Sequence, residues 1–333
     1  MTLAGKTVAV FSLGGTIAMT TDPVSGGVIP ALSAHDLLGA VPGLESSGVT
    51  LQVVDFRRLP GASLGFADLT DLAGAVKTAL AGGTDGVVVT QGTDTIEETA
   101  FFLDLRHQGE QPVVVTGAMR NPTMPGADGP ANLYAAVIAA ASEELRGAGT
   151  VVVLGDEVHA ARRVRKSHTT SPAAFTSPTS GPIARIIENR VRLTGSLPAR
   201  RPASVSGSPG RPARIGLHTV TFGDDAKTLS LLDGHLDGLI VAAFGVGHVP
   251  EELVAVLEHL AASMPVVLAS RIGNGPVLTG TYSFPGSEKD LLSRGLISAA
   301  DLDPYKARLL LHLLISHGAD RDTIRVAFDS MSG

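Results

Sequence analysis

Five short runs in the first half of the chain, Thr7–Ser12, 50–56, Gly86–Thr90, 112–116 and Thr150–Leu154, read as strands that are apolar along their whole length instead of alternating. A strand apolar on both sides must be covered on both sides, and a parallel sheet flanked by its own crossover helices does this. Helical patterns fall between the runs. Thr95 and Glu98 form a capping box ahead of the apolar segment 101–105. Gly129-Pro130 opens a helix that buries Leu133 and Val137, which stand one turn apart.

The stretch 194–214, TGSLPARRPASVSGSPGRPAR, breaks this pattern. Pro, Gly, Ser and Arg dominate it and no periodicity survives, so it reads as an interdomain linker. Strand runs resume at 214–219, 239–243 and Val266–Ser270, and Leu253, Val256, Leu257 and Leu260 make one helical face. The last helix is punctuated by Asp303 as N-cap, Pro304 at its first position, an apolar run over 309–315 and Gly318 as its stop. The expectation is two doubly wound α/β domains with no repeat between them, a larger one over 1–193 and a smaller one over 215–333. A length of 333 residues already favours two cores over one.

Composition narrows the function. Hydrophobic residues at 44% against charged residues at 17% supply a large core and exclude a disordered chain. A net charge of -6 argues against nucleic acid as the principal partner, since phosphate needs a basic surface. The densest basic run, RRVRK at 162–166, reads as a solvated face. With no cysteine there is no disulfide, thiolate nucleophile or Cys-ligated metal. The apolar run near the N-terminus reads as the first strand and not as a signal peptide, and no apolar stretch is long enough to span a bilayer, so the expected setting is the cytoplasm.

In an open parallel sheet, ligands bind at the carboxyl ends of the strands. Three such turns carry reactive side chains. Ser12-Leu13-Gly14-Gly15-Thr16 uses two glycines for a tight turn and then presents Thr16. Thr90-Gln91-Gly92-Thr93-Asp94-Thr95 leads into a helix whose free N–H groups suit a carboxylate or an oxyanion. The third is Thr116-Gly117-Ala118-Met119-Arg120. Each has a plain structural reading, with Asp94 as an N-cap and the threonines as ordinary strand-end residues.

The combination is more specific. GGTIA at 14–18, TQGTDTIEET at 90–99, TGAMR at 116–120, ADGPANL at 127–133 and Lys166 within RKSHTT together resemble the bacterial-type L-asparaginase family, in its order and at compatible spacings. GVGHVP at 245–250 and DPYKARLLL at 303–311 extend the likeness over nearly the whole chain. The resemblance implies an amidohydrolase that converts L-asparagine to L-aspartate and ammonia with no cofactor or metal. It assigns Thr16 as nucleophile, with Thr93, Asp94 and Lys166 as the supporting proton-handling group. It also implies substrate contacts from Gly15, Thr93 and Asp94, the last holding the α-amino group. A threonine hydroxyl needs a base to take its proton, and a Lys beside an Asp can orient a hydroxyl or water and shuttle that proton.

Three positions depart from the family pattern. The lid 20–30 lacks the tyrosine that normally helps activate the first threonine; the chain's three tyrosines are Tyr134, Tyr282 and Tyr305. In the substrate-carboxylate loop, Gly61 stands nearest the usual serine, followed by Ala62 and Ser63, so backbone N–H groups would take over the binding. His248 replaces a residue that is often asparagine in relatives. By resemblance Glu288 matches the acid that a neighbouring subunit contributes to the site, implying a homo-oligomer, dimer or tetramer; an exposed surface glutamate is the plainer reading. His159 and His168 flank Lys166 without a metal-ligand companion, so no metal is expected. The competing reading is a weak or inactive amino-acid-binding protein on the same fold, a use that fold alone does not exclude.

Overall fold

A computed structural model of the chain describes residues 3–15, 19–21, 28–30, 39, 41–197 and 210–332. The chain divides into two compact units, residues 1–202 and 203–333.

The first unit is built on an eight-stranded sheet and two antiparallel pairs, β2 (Met19–Thr21) with β3 (Val28–Pro30) and β9 (Arg165–Lys166) with β10 (Phe175–Thr176). Strands β1 (Thr7–Ser12), β4 (Thr50–Asp55), β5 (Gly86–Thr90), β6 (Val113–Thr116) and β7 (Thr150–Leu154) run parallel in the order β4-β1-β5-β6-β7. The sheet then continues antiparallel through β8 (Glu157–Ala160), β11 (Ala184–Ile187) and β12 (Arg190–Leu193). Successive residues of the central strands feed opposite cores. Val8, Val10, Val88, Val114 and Val151 face Leu133, Ala136 and Val137 of the helix Gly129–Ala140. Ala9, Phe11, Val87, Val89 and Val115 face Leu72 and Val76 of the helix Phe66–Ala81 and Ala100 and Leu103 of the helix Ile96–Arg106. Both faces are therefore covered, as all-apolar strands require. Full burial of Leu133 and Val137 contributes about 1.5–3 kcal/mol each.

The second unit carries a four-stranded parallel sheet, β13 (Ile215–Thr219), β14 (Gly238–Ala243), β15 (Val266–Ser270) and β16 (Ile297–Ser298), in that order. Its helix Pro304–Ser316 starts as its sequence predicts. Asp303 accepts hydrogen bonds from the N–H groups of Tyr305 and Lys306, and its other oxygen takes the Lys306 ammonium at 2.9 Å in a buried pair. Among the described residues no helix is long and apolar enough to cross a membrane.

Three expectations need correction, and one feature of the fold lies outside them. Strand β4 is not apolar throughout: most of it is exposed, because among the described residues it lies at the sheet edge beside β1, and it carries Gln52 and Asp55. Thr95 does not cap the helix Ile96–Arg106; its hydroxyl bonds Gly61 O instead. The helix over 304–316 is not the last, since Gly318 is followed by the helix Arg321–Asp329 with Asp320 capping Thr323 N–H. The antiparallel extension has no counterpart among the expected strands. Its hairpins turn at Gly155-Asp156 and Glu188-Asn189, all with positive φ.

Candidate active site

Three of the four expected catalytic residues can be placed, and they meet. Thr93 and Asp94 form a 3₁₀ turn after β5 that leads into the helix Ile96–Arg106. Lys166 lies on β9 (Arg165–Lys166), which pairs antiparallel with β10 (Phe175–Thr176), Phe175 opposite Lys166. The Lys166 ammonium donates to Thr93 Oγ1 at 2.9 Å and to Asp94 Oδ1 at 3.2 Å. Thr93 is buried, whereas the Asp94 side chain is 64% exposed and Lys166 15% exposed. An ammonium that donates to a hydroxyl oxygen stabilises negative charge developing there, and the carboxylate offsets the ammonium's charge.

One contact outside the predicted set holds the lysine, and a second fixes the hairpin that carries it. Glu97, one turn into the helix that Thr93 and Asp94 begin, accepts the Lys166 backbone N–H at 2.9 Å. His159 on β8 meets Ser177 Oγ through Nδ1 at 3.0 Å, tying the segment just past β10 to the main sheet. Burial is the main cause that holds the His159 imidazole below its ordinary value of 6.5; Glu157, 3.3 Å from Nε2, pulls the other way. Glu97 stands inside TQGTDTIEET, where it reads only as a helix-start acid. Its grip on a strand 69 residues away has no local signal.

Glycine brings the loops together. Gly15 has φ +88°, and a Cβ there would overlap the backbone of Gly92. Gly61 is tight but less so: a Cβ on it would meet Gly92 O at 3.0 Å. The Gly14-Gly15 turn, the Gly92 turn and the 3₁₀ turn Gly61–Ser63 therefore pack backbone to backbone. Thr16 lies outside the described residues, as does most of the lid 20–30; Gly15 is the last described residue before it. Ala62 and Ser63 are exposed on the Gly61–Ser63 turn, and the Ser63 N–H donates to Pro60 O.

The third turn serves as a brace. Thr116 Oγ1 donates to Val153 O at 2.7 Å inside the sheet. Asp128 accepts the N–H groups of Met119 and Arg120 and the Asn132 amide, which also donates to Gly117 O. The ADGPANL motif thus fixes this loop through its own acid and amide.

Glu288 belongs to the second unit and is fully buried, so the surface reading fails. Its Oε1 accepts from Thr281 N–H at 3.0 Å and Tyr282 N–H at 2.7 Å, and Oε2 lies 3.2 Å from His248 Nε2. Burial pushes its carboxyl up, but the backbone donors of Tyr282, Glu288 and Thr281, with His248, hold it below the usual glutamate range. The His248 ring packs edge-on against Tyr282 and Phe284 at 4.9 and 5.0 Å. Tyr282 is thus an aromatic neighbour of His248 within the second unit. Among the described residues no group of three or more His, Cys, Asp or Glu could hold a metal ion.

Comparison with known proteins covers both units. Residues 7–199 match the family described as asparaginase, N-terminal, and residues 214–328 match the glutaminase/asparaginase C-terminal domain. A probable L-asparaginase of Deinococcus radiodurans is 37% identical over 322 residues, 96% of each chain. A probable periplasmic L-asparaginase of Haemophilus influenzae is 33% identical, with 97% of this chain and 92% of the relative covered. The crystal structure of a probable cytoplasmic L-asparaginase from Campylobacter jejuni superposes with a TM-score of 0.84 at 31% identity, covering 97% of this chain and 99% of that one.

Proposed function

The chain belongs to the bacterial-type asparaginase family of amidohydrolases, and from that premise we propose that it hydrolyses the side-chain amide of L-asparagine with Thr16 as nucleophile. The observation that carries the reading is the Lys166 ammonium set between Thr93 Oγ1 and Asp94 Oδ1. A lysine clamped between a hydroxyl and a carboxylate has little use in a binding protein and a clear one in moving protons.

The chemistry divides in two. Thr16 Oγ attacks the amide carbon, its proton passes to the amide nitrogen, and ammonia departs to leave an acyl ester on Thr16. Water then attacks the ester carbon, returning the proton to Thr16 and releasing L-aspartate. Thr93, Lys166 and Asp94 orient the attacking water and relay its proton, and the Thr93 backbone N–H faces the developing oxyanion. Gly61 and Ala62 seat the α-carboxylate through backbone N–H groups and Ser63 through its exposed hydroxyl, since its N–H is held by Pro60 O, and Asp94 and Gly15 take the α-amino end. With no tyrosine in the 20–30 segment, the Lys166 group carries more of the activation.

Residues 194–214 join the catalytic unit to the smaller one. The protein works in the cytoplasm, a reading supported by its likeness to the Campylobacter jejuni protein, and as a homo-oligomer. Ammonia release from L-asparagine, L-glutamine and D-asparagine tests the proposal. Wild type should release ammonia fastest from L-asparagine and Thr16→Ala should release none above background. A wild type as inactive as Thr16→Ala would leave an amino-acid-binding protein instead.

A further inference from the structure

Thr95 ends the GTDT motif in the position of a helix cap, yet its hydroxyl makes no capping bond. Its partners lie elsewhere. The Gln91 side chain is fully buried, and its Nε2 donates to Thr95 Oγ1 at 3.2 Å and to Gly92 O at 3.3 Å. The reverse placement of the amide would set its oxygen against the Gly92 carbonyl, so the nitrogen belongs there. An amide NH₂ only donates. Thr95 Oγ1 must therefore accept from Gln91, and its single proton is directed to Gly61 O, 3.0 Å away.

That carbonyl opens the 3₁₀ turn Gly61–Ser63 and also takes the Leu64 N–H. Gly61 has no side chain, and those of Ala62 and Ser63 are exposed, so neither side chain can anchor the turn by burial. Its position against the Thr93 loop rests on the backbone packing of Gly61 on Gly92 and on the Thr95 hydroxyl. Close packing sets how near the turn can come. The directed hydrogen bond sets how the peptide planes are rotated, and so where their N–H groups aim.

We propose that Thr95 is a positioning residue that aims the Gly61–Ser63 turn at the substrate's α-carboxylate, through a relay running from Gln91 Nε2 to Thr95 Oγ1 to Gly61 O. The inference rests on the reading that this turn holds the α-carboxylate. The consequence falls on one substituent of the substrate. Loss of the hydroxyl weakens recognition of the carboxylate and leaves the reacting amide alone.

Competitive inhibition by L-aspartate and by β-alanine, which is aspartate without its α-carboxylate, separates the two. Thr95→Val should weaken L-aspartate inhibition about three- to tenfold, the worth of one ordinary hydrogen bond. It should leave β-alanine inhibition and kcat within about twofold, with KM for L-asparagine rising in step with the aspartate constant. Thr95→Ser keeps the hydroxyl and should restore wild-type inhibition. Should Thr95→Val fail to fold, Thr95→Cys, whose S–H is a weak donor, carries the same comparison. The proposal is overturned by a Thr95→Val enzyme that binds L-aspartate like wild type, by equal weakening of both inhibitors, or by failure of Thr95→Ser to restore. A wild type that binds both inhibitors equally would instead remove the carboxylate reading of the turn, and the relay's role with it.

Discussion

The loop after Gly86–Thr90 and the loop after Gly238–Ala243 each leave the carboxyl end of a parallel strand, one in each unit, and both run through glycine. In the first, Gly92 is wedged between Gly15 and Gly61, and the side chains that follow, Thr93 and Asp94, meet the Lys166 ammonium with Asp94 still open to solvent. In the second, the backbone groups of Phe244 and His248 bond each other and close the loop on itself. His248 then pairs with Glu288, whose other oxygen is spent on two backbone donors. One loop uses glycine to bring backbones together and leaves its polar groups accessible. The other consumes its polar groups internally. The same architecture thus yields a reactive end and a self-satisfied one, and the deciding quantity is what the glycine touches.

The sharpest way to break that contrast is to add one methyl group to each loop. In Gly15→Ala the Cβ would overlap the Gly92 backbone at φ +88°, so the loops must part. A loss of about 3 kcal/mol or more is expected, the left-handed penalty plus overpacking. Gly245→Ala, at φ +48° with nothing within 4 Å, should lose only about 1–2 kcal/mol. Urea unfolding of both variants measures the difference. Equal losses would mean that close approach is not what Gly15 supplies.

The carboxylates come next. Glu288→Ala leaves the Thr281 and Tyr282 N–H groups and His248 without their acceptor, and should cost about 3 kcal/mol. Asp94→Ala removes an exposed group and should change stability by less than about 0.5 kcal/mol while lowering activity. Because the Glu288 carboxyl is held below its ordinary 4.5, its share of stability is present above that value and disappears as pH falls through the lower folded-state value. Glu288→Gln should therefore flatten that part of the acid unfolding curve. An unchanged curve would remove the carboxylate from the account.

The smallest effect concerns the hairpin that carries Lys166. His159 is kept neutral by burial, so the unfolded chain takes up its proton before the folded one does. Stability from this source is whole above about pH 6.5 and declines as pH falls below it. His159→Asn should lose about 1 kcal/mol at pH 8, through the Ser177 bond, and show a shallower decline between pH 6.5 and 5. His312 in the second unit, also held low by burial first, keeps its own contribution to the slope. Denaturant midpoints at the two pH values decide, and an undiminished slope would sink the assignment to His159.

Sequence alone was enough where local chemistry and position agree. The all-apolar strands β1, β5, β6 and β7 and the Asp303-Pro304 helix start each follow from residues within one element. The edge strand β4 was misjudged because Val53 and Val54 suggest burial, while exposure depends on which strands lie beside it. The β7–β8 hairpin had a usable signal in Gly155-Asp156, a turn dipeptide after an apolar run. For the candidate site, the motifs brought Thr93, Asp94 and Lys166 onto one short list. That Glu97 grips Lys166, or that Thr95 serves Gly61, depends on contacts 69 and 34 residues apart in the chain, which no pattern within either motif encodes.

The central claim is that the Lys166 ammonium, between Thr93 Oγ1 and Asp94 Oδ1, handles protons in amide hydrolysis. Steady-state ammonia release from L-asparagine by Lys166→Met beside wild type tests it most directly. The account predicts a fall in kcat of about 10²–10⁴-fold, the usual worth of a positioned proton donor or acceptor, with KM changed by less than about threefold. A Lys166→Met enzyme that keeps the wild-type kcat would contradict it.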